Sequence, residues 1–161
     1  MSKELFPDLT VHHVAYSVRD LEEAVNFWTE LFGFERDFDK QIPPIKAKLA
    51  FLKRDGFWLE LFEVEDSKSP TKTQLKPNTD LAQQGTKHLC FSVDDPQAIL
   101  ETLFEKGVEI AGVMRGQEAS MQVEDDPRLA FGDTRDPAIA FFFLDPSQCL
   151  VEILRRSDFT A

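Results

Sequence analysis

Residues 12–33, HHVAYSVRDLEEAVNFWTELFG, contain a change of hydrophobic period that predicts how this chain folds. Up to Val18 the residues are mainly β-branched, aromatic or small, which is typical of a strand that begins near Thr10. From Asp20 onward the apolar residues recur at the spacing of one face of an amphipathic helix. Asp20 suits the N-cap of that helix, and Gly33 suits its end. The stretch therefore predicts a strand followed directly by a helix.

Three shorter apolar segments follow, and each has the composition of a strand. They are FERDFD at 34–39, AKLAFLK at 47–53 and FWLELFEV at 57–64. The sequence RDG between the last two is typical of a tight hairpin turn. Residues 66–85 are polar and contain two prolines, which indicates a connection without a core. The first part of the chain therefore predicts the order β-α-β-β-β.

The same order returns in residues 86–107, TKHLCFSVDDPQAILETLFEKG. Aligning the two stretches pairs His13 with His88, and the terminating glycines follow 20 and 19 residues later. A final pair of strands is predicted within residues 138–156, where LVEIL mirrors the WLELF of the first hairpin. Self-similarity of this kind is the signature of a duplicated structural unit.

The duplication predicts one α+β domain over residues 1–161, made of two tandem βαβββ modules. The modules are expected at about 9–65 and 86–156, with a linker at about 66–85. The second module is the longer one, and its surplus lies in a polar, acidic segment from about Arg115 to Pro137. Long insertions often serve as active-site lids, so we expect a mobile cover there.

Each half supplies a histidine on its first strand and a glutamate at the centre of its last strand. The four residues are His13, Glu60, His88 and Glu152. Apolar residues flank both glutamates, and a buried unpaired carboxylate costs several kcal/mol unless a cation compensates it. Two imidazoles and two carboxylates around one divalent ion give zero net charge. Zn²⁺, Ni²⁺, Co²⁺, Mn²⁺ and Fe²⁺ all suit such nitrogen and oxygen ligands, so the repeat favours a metal site.

Each of the four residues also has an ordinary interpretation. A strand histidine is commonly a hydrogen-bonded core residue, and a mid-strand glutamate can pair with an arginine or face solvent. His12 has the opposite strand facing to His13, and Lys87 stands at its place in the second half, so we interpret His12 as structural. Cys90 shares the facing of His88, and we expect it to fill space as a small buried side chain.

Four stretches resemble the signature regions of the vicinal oxygen chelate superfamily: HHVAYSVRDLEEAVNFWTELFGFE, FWLELFEV, GTKHLCFSVDD and FFFLDPSQCLVEILRR. That superfamily includes glyoxalase I, methylmalonyl-CoA epimerase, extradiol dioxygenases and fosfomycin or bleomycin resistance proteins. The resemblance covers nearly the whole chain and implies a cupped mixed sheet around one metal ion, held by His13, Glu60, His88 and Glu152. Where glyoxalase I commonly carries an arginine and an asparagine for glutathione, this chain has Ser17 and Val64.

The resemblance implies an enzyme of the glyoxalase or epimerase type, a metal-dependent isomerase or lyase. Its small-molecule substrate would chelate the metal through neighbouring oxygens and form an enediolate, with Glu60 or Glu152 as the catalytic base. The alternative is a non-haem Fe(II) extradiol-type dioxygenase, in which Glu60 is detached and the other three residues bind iron. A second alternative is a resistance-type protein that sequesters a small molecule, although such proteins often lack metal ligands.

The charge balance limits the partners of the chain. Lys and Arg number 18 against 29 Asp and Glu, and the net charge of −11 repels nucleic acid and anionic membranes. Cys90 and Cys149 lie in apolar segments and are expected to be free thiols. The N-terminus lacks a signal-peptide pattern, and no segment approaches the ~18 apolar residues of a membrane span. We expect a cytoplasmic protein, monomeric or homodimeric, whose partner is a small-molecule substrate.

Overall fold

The computed structural model describes residues 8–116 and 120–159. The chain divides into two compact units, residues 1–68 and 69–161, and each unit has its own mixed sheet. The first unit has the predicted β-α-β-β-β order, and the second repeats it with one additional short strand. The predicted α+β class with two tandem modules is confirmed. Within the described ranges, no helix has the length and apolar character needed to cross a membrane.

The first unit forms a four-stranded sheet in the order β1-β4-β3-β2. Its elements are β1 (His13–Val18), α1 (Leu21–Phe32), β2 (Glu35–Ile42), a 3₁₀ turn (Pro43–Ile45), β3 (Ala47–Arg54) and β4 (Phe57–Val64). The outer strand β1 runs parallel to β4, whereas β2, β3 and β4 are antiparallel neighbours. Asp55 and Gly56 join β3 to β4 with φ values of 50° and 79°, the left-handed pair that a two-residue hairpin turn requires.

Helix α1 begins and ends where the sequence predicts. The Asp20 carboxylate accepts the backbone N–H of Glu23 at 2.8 Å, and Gly33 ends the helix with a φ of 64°. The helix packs on the sheet face that carries Leu59 and Leu61, both 0% exposed. Because side chains alternate along a strand, Glu60 between these leucines points to the other face of the sheet.

The second unit forms a five-stranded sheet in the order β5-β9-β8-β6-β7. Its elements are β5 (Leu89–Val93), α2 (Pro96–Glu105), β6 (Ile110–Arg115), β7 (Met121–Gln122), β8 (Ala138–Leu144), β9 (Leu150–Arg155) and a 3₁₀ turn (Arg156–Asp158). Strand β5 is parallel to β9, as β1 is to β4. The Asp95 carboxylate caps α2 by accepting the backbone N–H of Ala98 at 3.1 Å. The predicted internal repeat is therefore present in the topology as well as in the sequence.

The two faces of the second sheet have different contents. One face packs against α2 and holds side chains that are at most 1% exposed, namely Val113, Phe141, Phe143, Val151 and Ile153. The other face carries a separate cluster of Phe142, Leu144 and Leu150, against which Leu75 and Met121 pack. Glu152 shares this second face by strand alternation. The contact of Leu75 differs from the expectation that residues 66–85 contribute nothing to a core.

The polar insertion is attached to α2. The Arg115 guanidinium donates to the carboxylate of Glu124, to the side-chain oxygen of Gln97 and to the backbone oxygen of Pro127. The backbone N–H of Leu129 donates to Glu101 of α2 at 3.1 Å. Residues 124–129 are therefore held on the helix side of the sheet and do not lie on the Glu152 face, whereas Met121 of the same insertion packs on that face. The mobile cover over the predicted metal site stays a prediction. Residues 117–119 of the insertion lie outside the described ranges.

Candidate metal centre

The first predicted ligand pair is assembled by the parallel pairing of β1 with β4. The register sets His13 beside Trp58 and Ala15 beside Glu60, which places His13 and Glu60 on the sheet face opposite α1. The Nε2 atom of His13 lies 3.4 Å from the Oε2 atom of Glu60. Phe51, the neighbour of Glu60 on β3, meets the His13 ring edge to face at 5.7 Å. The Glu60 side chain is 17% exposed, so it is largely withdrawn from water.

The second pair repeats this arrangement in the second unit. The Nε2 atom of His88 lies 3.0 Å from the Oε2 atom of Glu152, whose side chain is 18% exposed. Phe142 is the neighbour of Glu152 on β8, and its ring meets the His88 ring edge to face at 5.0 Å. An aromatic residue therefore stands beside each pair. The sequence signals for these aromatic neighbours were FFF at 141–143 and AFL at 50–52, neither of which entered the prediction of the site.

The geometry of each pair fits two ligands of one metal ion. Nitrogen and oxygen ligands bind ions such as Zn²⁺ at about 2.0–2.2 Å, so two of them lie about 3.0–3.4 Å apart at octahedral or tetrahedral angles. The separations of 3.4 Å and 3.0 Å lie in this interval. The donor set of neutral imidazole and carboxylate also suits borderline divalent metals. Each unit thus presents one nitrogen and one oxygen atom at a separation that suits binding to one metal ion.

The binding of one metal ion by both pairs together stays a prediction. Within residues 8–116 and 120–159, no group of three or more His, Cys, Asp or Glu side chains is close enough to hold a metal ion. What the structure brings together is His13 with Glu60, and His88 with Glu152.

His12 lies against His13, contrary to its interpretation as a structural residue with the opposite facing. The Nδ1 atoms of the two rings are 2.9 Å apart, and the rings meet edge to face. His12 precedes the first residue of β1, so strand alternation does not apply to it. The ring stacks on Trp58 at 4.5 Å between centroids. The unusual His-His dipeptide was the only sequence signal for this contact.

Cys90 is the register partner of Glu152, as its predicted facing requires, but the residue is exposed and is not the buried side chain expected. Partial burial of the thiol raises the pKa of Cys90 to about 12, and the negative charge and hydrogen bond of Glu152 add to the increase. Burial likewise raises the pKa of Cys149 to about 12, with a further contribution from Asp145. Both residues are free cysteines, as predicted.

We expect neither thiol to react quickly with iodoacetamide at pH 8. With a pKa of about 12 the reactive thiolate is a minute fraction of Cys90, so alkylation should be more than about a hundredfold slower than for an ordinary exposed thiol. Mass spectrometry of chelator-treated native protein measures the rate at each cysteine. Glu152→Gln removes the neighbouring charge and should accelerate Cys90 while leaving Cys149 unchanged. Rapid labelling of Cys90 in the unmodified chain would contradict the prediction.

Comparison with known proteins supports the predicted resemblance. Mitochondrial methylmalonyl-CoA epimerase from Bos taurus is 28% identical over 146 residues, covering 89% of this chain and 72% of that protein. A 2-epi-5-epi-valiolone epimerase from an Actinomyces species is 34% identical over 121 residues, covering 65% of this chain and 63% of that protein. Both proteins are epimerases by name.

A solved structure shows the same fold. The glyoxalase family protein from Enterococcus faecalis aligns with a TM-score of 0.66 at 21% identity, covering 94% of this chain and all of that one. Residues 10–153 match the model of one family, which spans nearly the whole chain. The chain therefore belongs to the Glyoxalase/Bleomycin resistance protein/Dioxygenase superfamily.

Proposed function

We propose that this chain is a metal-dependent isomerase or lyase of the glyoxalase/epimerase type. One divalent ion, Zn²⁺, Ni²⁺, Co²⁺, Mn²⁺ or Fe²⁺, would be held by His13, Glu60, His88 and Glu152. Its substrate is a small molecule with two neighbouring oxygen atoms. The observation that carries the proposal is the repeated His-Glu pair, with Nε2 to Oε2 separations of 3.4 Å and 3.0 Å in two topologically equivalent positions.

The local environment of each pair explains why these residues suit metal binding better than a role as core or solvent-facing residues. Each glutamate lies between apolar strand neighbours, and its side chain is less than a fifth exposed. A carboxylate in such a place costs free energy unless a cation compensates it, and a neutral histidine compensates only in part. When bound, the ion would act as a Lewis acid that polarises the oxygens of the substrate.

The proton acceptor in this proposal is a carboxylate oxygen, the Oε2 atom of Glu60 or of Glu152. It would take the proton from the carbon next to the chelating oxygens and return it to the same carbon or to a neighbouring one. Phe51 and Phe142 stand beside these carboxylates and limit the access of water. Partial exclusion of water strengthens the interaction of a carboxylate with a developing charge.

The relatives favour isomerase chemistry over ring cleavage. The two curated relatives reported above are named as epimerases, and neither name refers to oxygen. Ser17 and Val64 lie on the Glu60 face of the first sheet by register, where they offer no cationic or amide group for glutathione. Glutathione adducts are therefore not among the proposed substrates. We propose small hydroxycarbonyl compounds, dicarbonyl compounds and thioesters as the substrate class.

The proposal predicts metal-dependent exchange of a substrate proton with solvent. Chelator-treated protein is reloaded with Ni²⁺, Co²⁺, Mn²⁺ or Zn²⁺ under argon, and NMR in D₂O follows a panel of hydroxycarbonyl compounds and 2-substituted 3-oxo thioesters. We expect deuterium to enter at the carbon next to the carbonyl only with metal present. Glu60→Gln and Glu152→Gln each keep an oxygen ligand but cannot accept a proton, so the variant that retains metal and loses exchange identifies the base.

Two other results would replace the proposal. Stoichiometric oxygen uptake with a ring-cleaved product, in Fe²⁺-loaded protein given catechols, would establish the dioxygenase alternative. Tight binding of a panel compound without any exchange or conversion would favour the sequestering protein.

A further inference from the structure

We propose that His12 is a positioning residue for the first metal ligand, which fixes the tautomer and the orientation of the His13 ring. This inference rests on the proposed function, because it assigns His13 to a metal. The contact that carries it joins the Nδ1 atoms of the two rings at 2.9 Å. At this distance one nitrogen must donate a hydrogen and the other must accept it.

The direction of this hydrogen bond follows from the role of His13. Its Nε2 atom faces Glu60, so Nε2 is the atom available to a metal and must carry a lone pair. A neutral imidazole with an unprotonated Nε2 has its hydrogen on Nδ1. His13 therefore donates from Nδ1, and the Nδ1 atom of His12 accepts. Metal-binding histidines generally donate their second ring N–H to such a partner, which fixes the ring and increases its basicity.

His12 is itself held in place, as a positioning residue must be. Its ring lies parallel to the indole of Trp58, at 4.5 Å between centroids and 3° between planes. Its backbone oxygen accepts the N–H of Trp58 at 3.1 Å. The Trp58 indole N–H in turn donates to the carboxylate of Asp37 at 3.0 Å, and this bond lowers the pKa of Asp37. The partner of His13 thus belongs to a chain of contacts that extends from β2 to the ligand.

The second unit is different at the equivalent place. Lys87 precedes His88, and its ammonium group donates to the backbone and side chain of Asp80 and to the backbone of Gln83. A lysine ammonium has no lone pair and cannot accept a hydrogen bond from a histidine. The hydrogen bond from the preceding residue is therefore specific to His13 and does not follow from the internal repeat.

Two substitutions separate the hydrogen bond from the stacking contact. His12→Phe keeps an aromatic ring for Trp58 but removes the acceptor, whereas His12→Asn loses the ring and keeps an acceptor atom near the position of Nδ1. Co²⁺ affinity is measured by chelator competition. Long-range ¹H–¹⁵N NMR of the Zn²⁺-loaded protein observes the Nδ1–H hydrogen of His13 and the rate at which it exchanges with water. A separate variant, His13→Ala, measures how far the Co²⁺ affinity depends on the proposed ligand itself.

We expect His12→Phe to weaken Co²⁺ binding by about 10-fold to 100-fold and His12→Asn to weaken it by less than about threefold. In the Zn²⁺-loaded protein the Nδ1–H hydrogen of His13 should exchange slowly in the unmodified chain and in His12→Asn, and faster in His12→Phe. Unchanged affinity and unchanged exchange of the His13 Nδ1–H hydrogen in His12→Phe, or equal losses in both variants, would overturn the inference. If His13→Ala loses metal while His12→Phe does not, only this inference fails. If His13→Ala binds Co²⁺ as well as the unmodified chain, the proposed metal site fails first.

Discussion

Glu152→Ala is expected to weaken the binding of Zn²⁺ or Co²⁺ by more than about a hundredfold, and His88→Ala to do the same. Loss of a ligand opens the coordination sphere, and loss of the carboxylate also leaves the charge of the ion uncompensated at a largely buried place. Even groups that only orient a ligand change metal affinity by about 10-fold to 100-fold, so a ligand should exceed that. Competition with a chromophoric chelator gives the affinity, and elemental analysis gives the stoichiometry.

A matched control is available in the first unit. Glu63 is also a strand glutamate, but it faces α1, where it accepts a hydrogen bond from Lys48 at 2.8 Å and another from the backbone N–H of Leu21 at 2.9 Å. Glu63→Gln should leave metal affinity unchanged, since this carboxylate is already paired away from His13 and Glu60. The assignment of Glu152 would be refuted if Glu152→Ala and Glu63→Gln bound metal equally well.

Arg115→Leu is expected to destabilise the second unit by about 3–5 kcal/mol, the usual cost of breaking a buried ion pair. The side chains of Arg115 and Glu124 are only 12% and 15% exposed. The guanidinium binds both oxygens of Glu124, at 2.7 Å and 2.8 Å, and its remaining N–H groups reach Gln97, Pro127 and Asp136. Leucine leaves the Glu124 carboxylate with Arg135 as its cationic partner, and the oxygens of Gln97 and Pro127 each lose one donor while keeping Ala138 N–H and Gln97 N–H respectively.

Urea denaturation followed by far-UV circular dichroism measures the effect on the whole chain. Both tryptophans, Trp28 and Trp58, lie in the first unit, so their fluorescence reports that unit separately. Arg156→Leu is the matched control, since its pair with Asp94 is 55% and 85% exposed and should contribute less than about 1 kcal/mol. A stability loss for Arg115→Leu no greater than for Arg156→Leu would show that the buried pair does not hold the insertion.

Local sequence determined the elements of each unit. Asp20 and Gly33 end α1 at the predicted residues because a carboxylate cap and a left-handed glycine act within one turn of the helix. The duplicated order of strands and helix followed from hydrophobic period, and with it the pairing of each histidine with its glutamate. That pairing was accessible because the repeat sets each pair on the first and last strand of a module, where strand alternation fixes the face.

Only the tertiary structure decided the contacts that depend on segments distant in sequence or outside regular strands. His12 meets His13 because it precedes the strand, where alternation no longer sets its direction. Residues 124–129 of the insertion bind α2, because the Arg115 guanidinium beside that helix is paired with Glu124, Gln97 and Pro127, whereas Met121 of the same insertion packs on the Glu152 face. Buried polar groups must be hydrogen-bonded, but the sequence does not reveal which of the many charged residues will lie next to them.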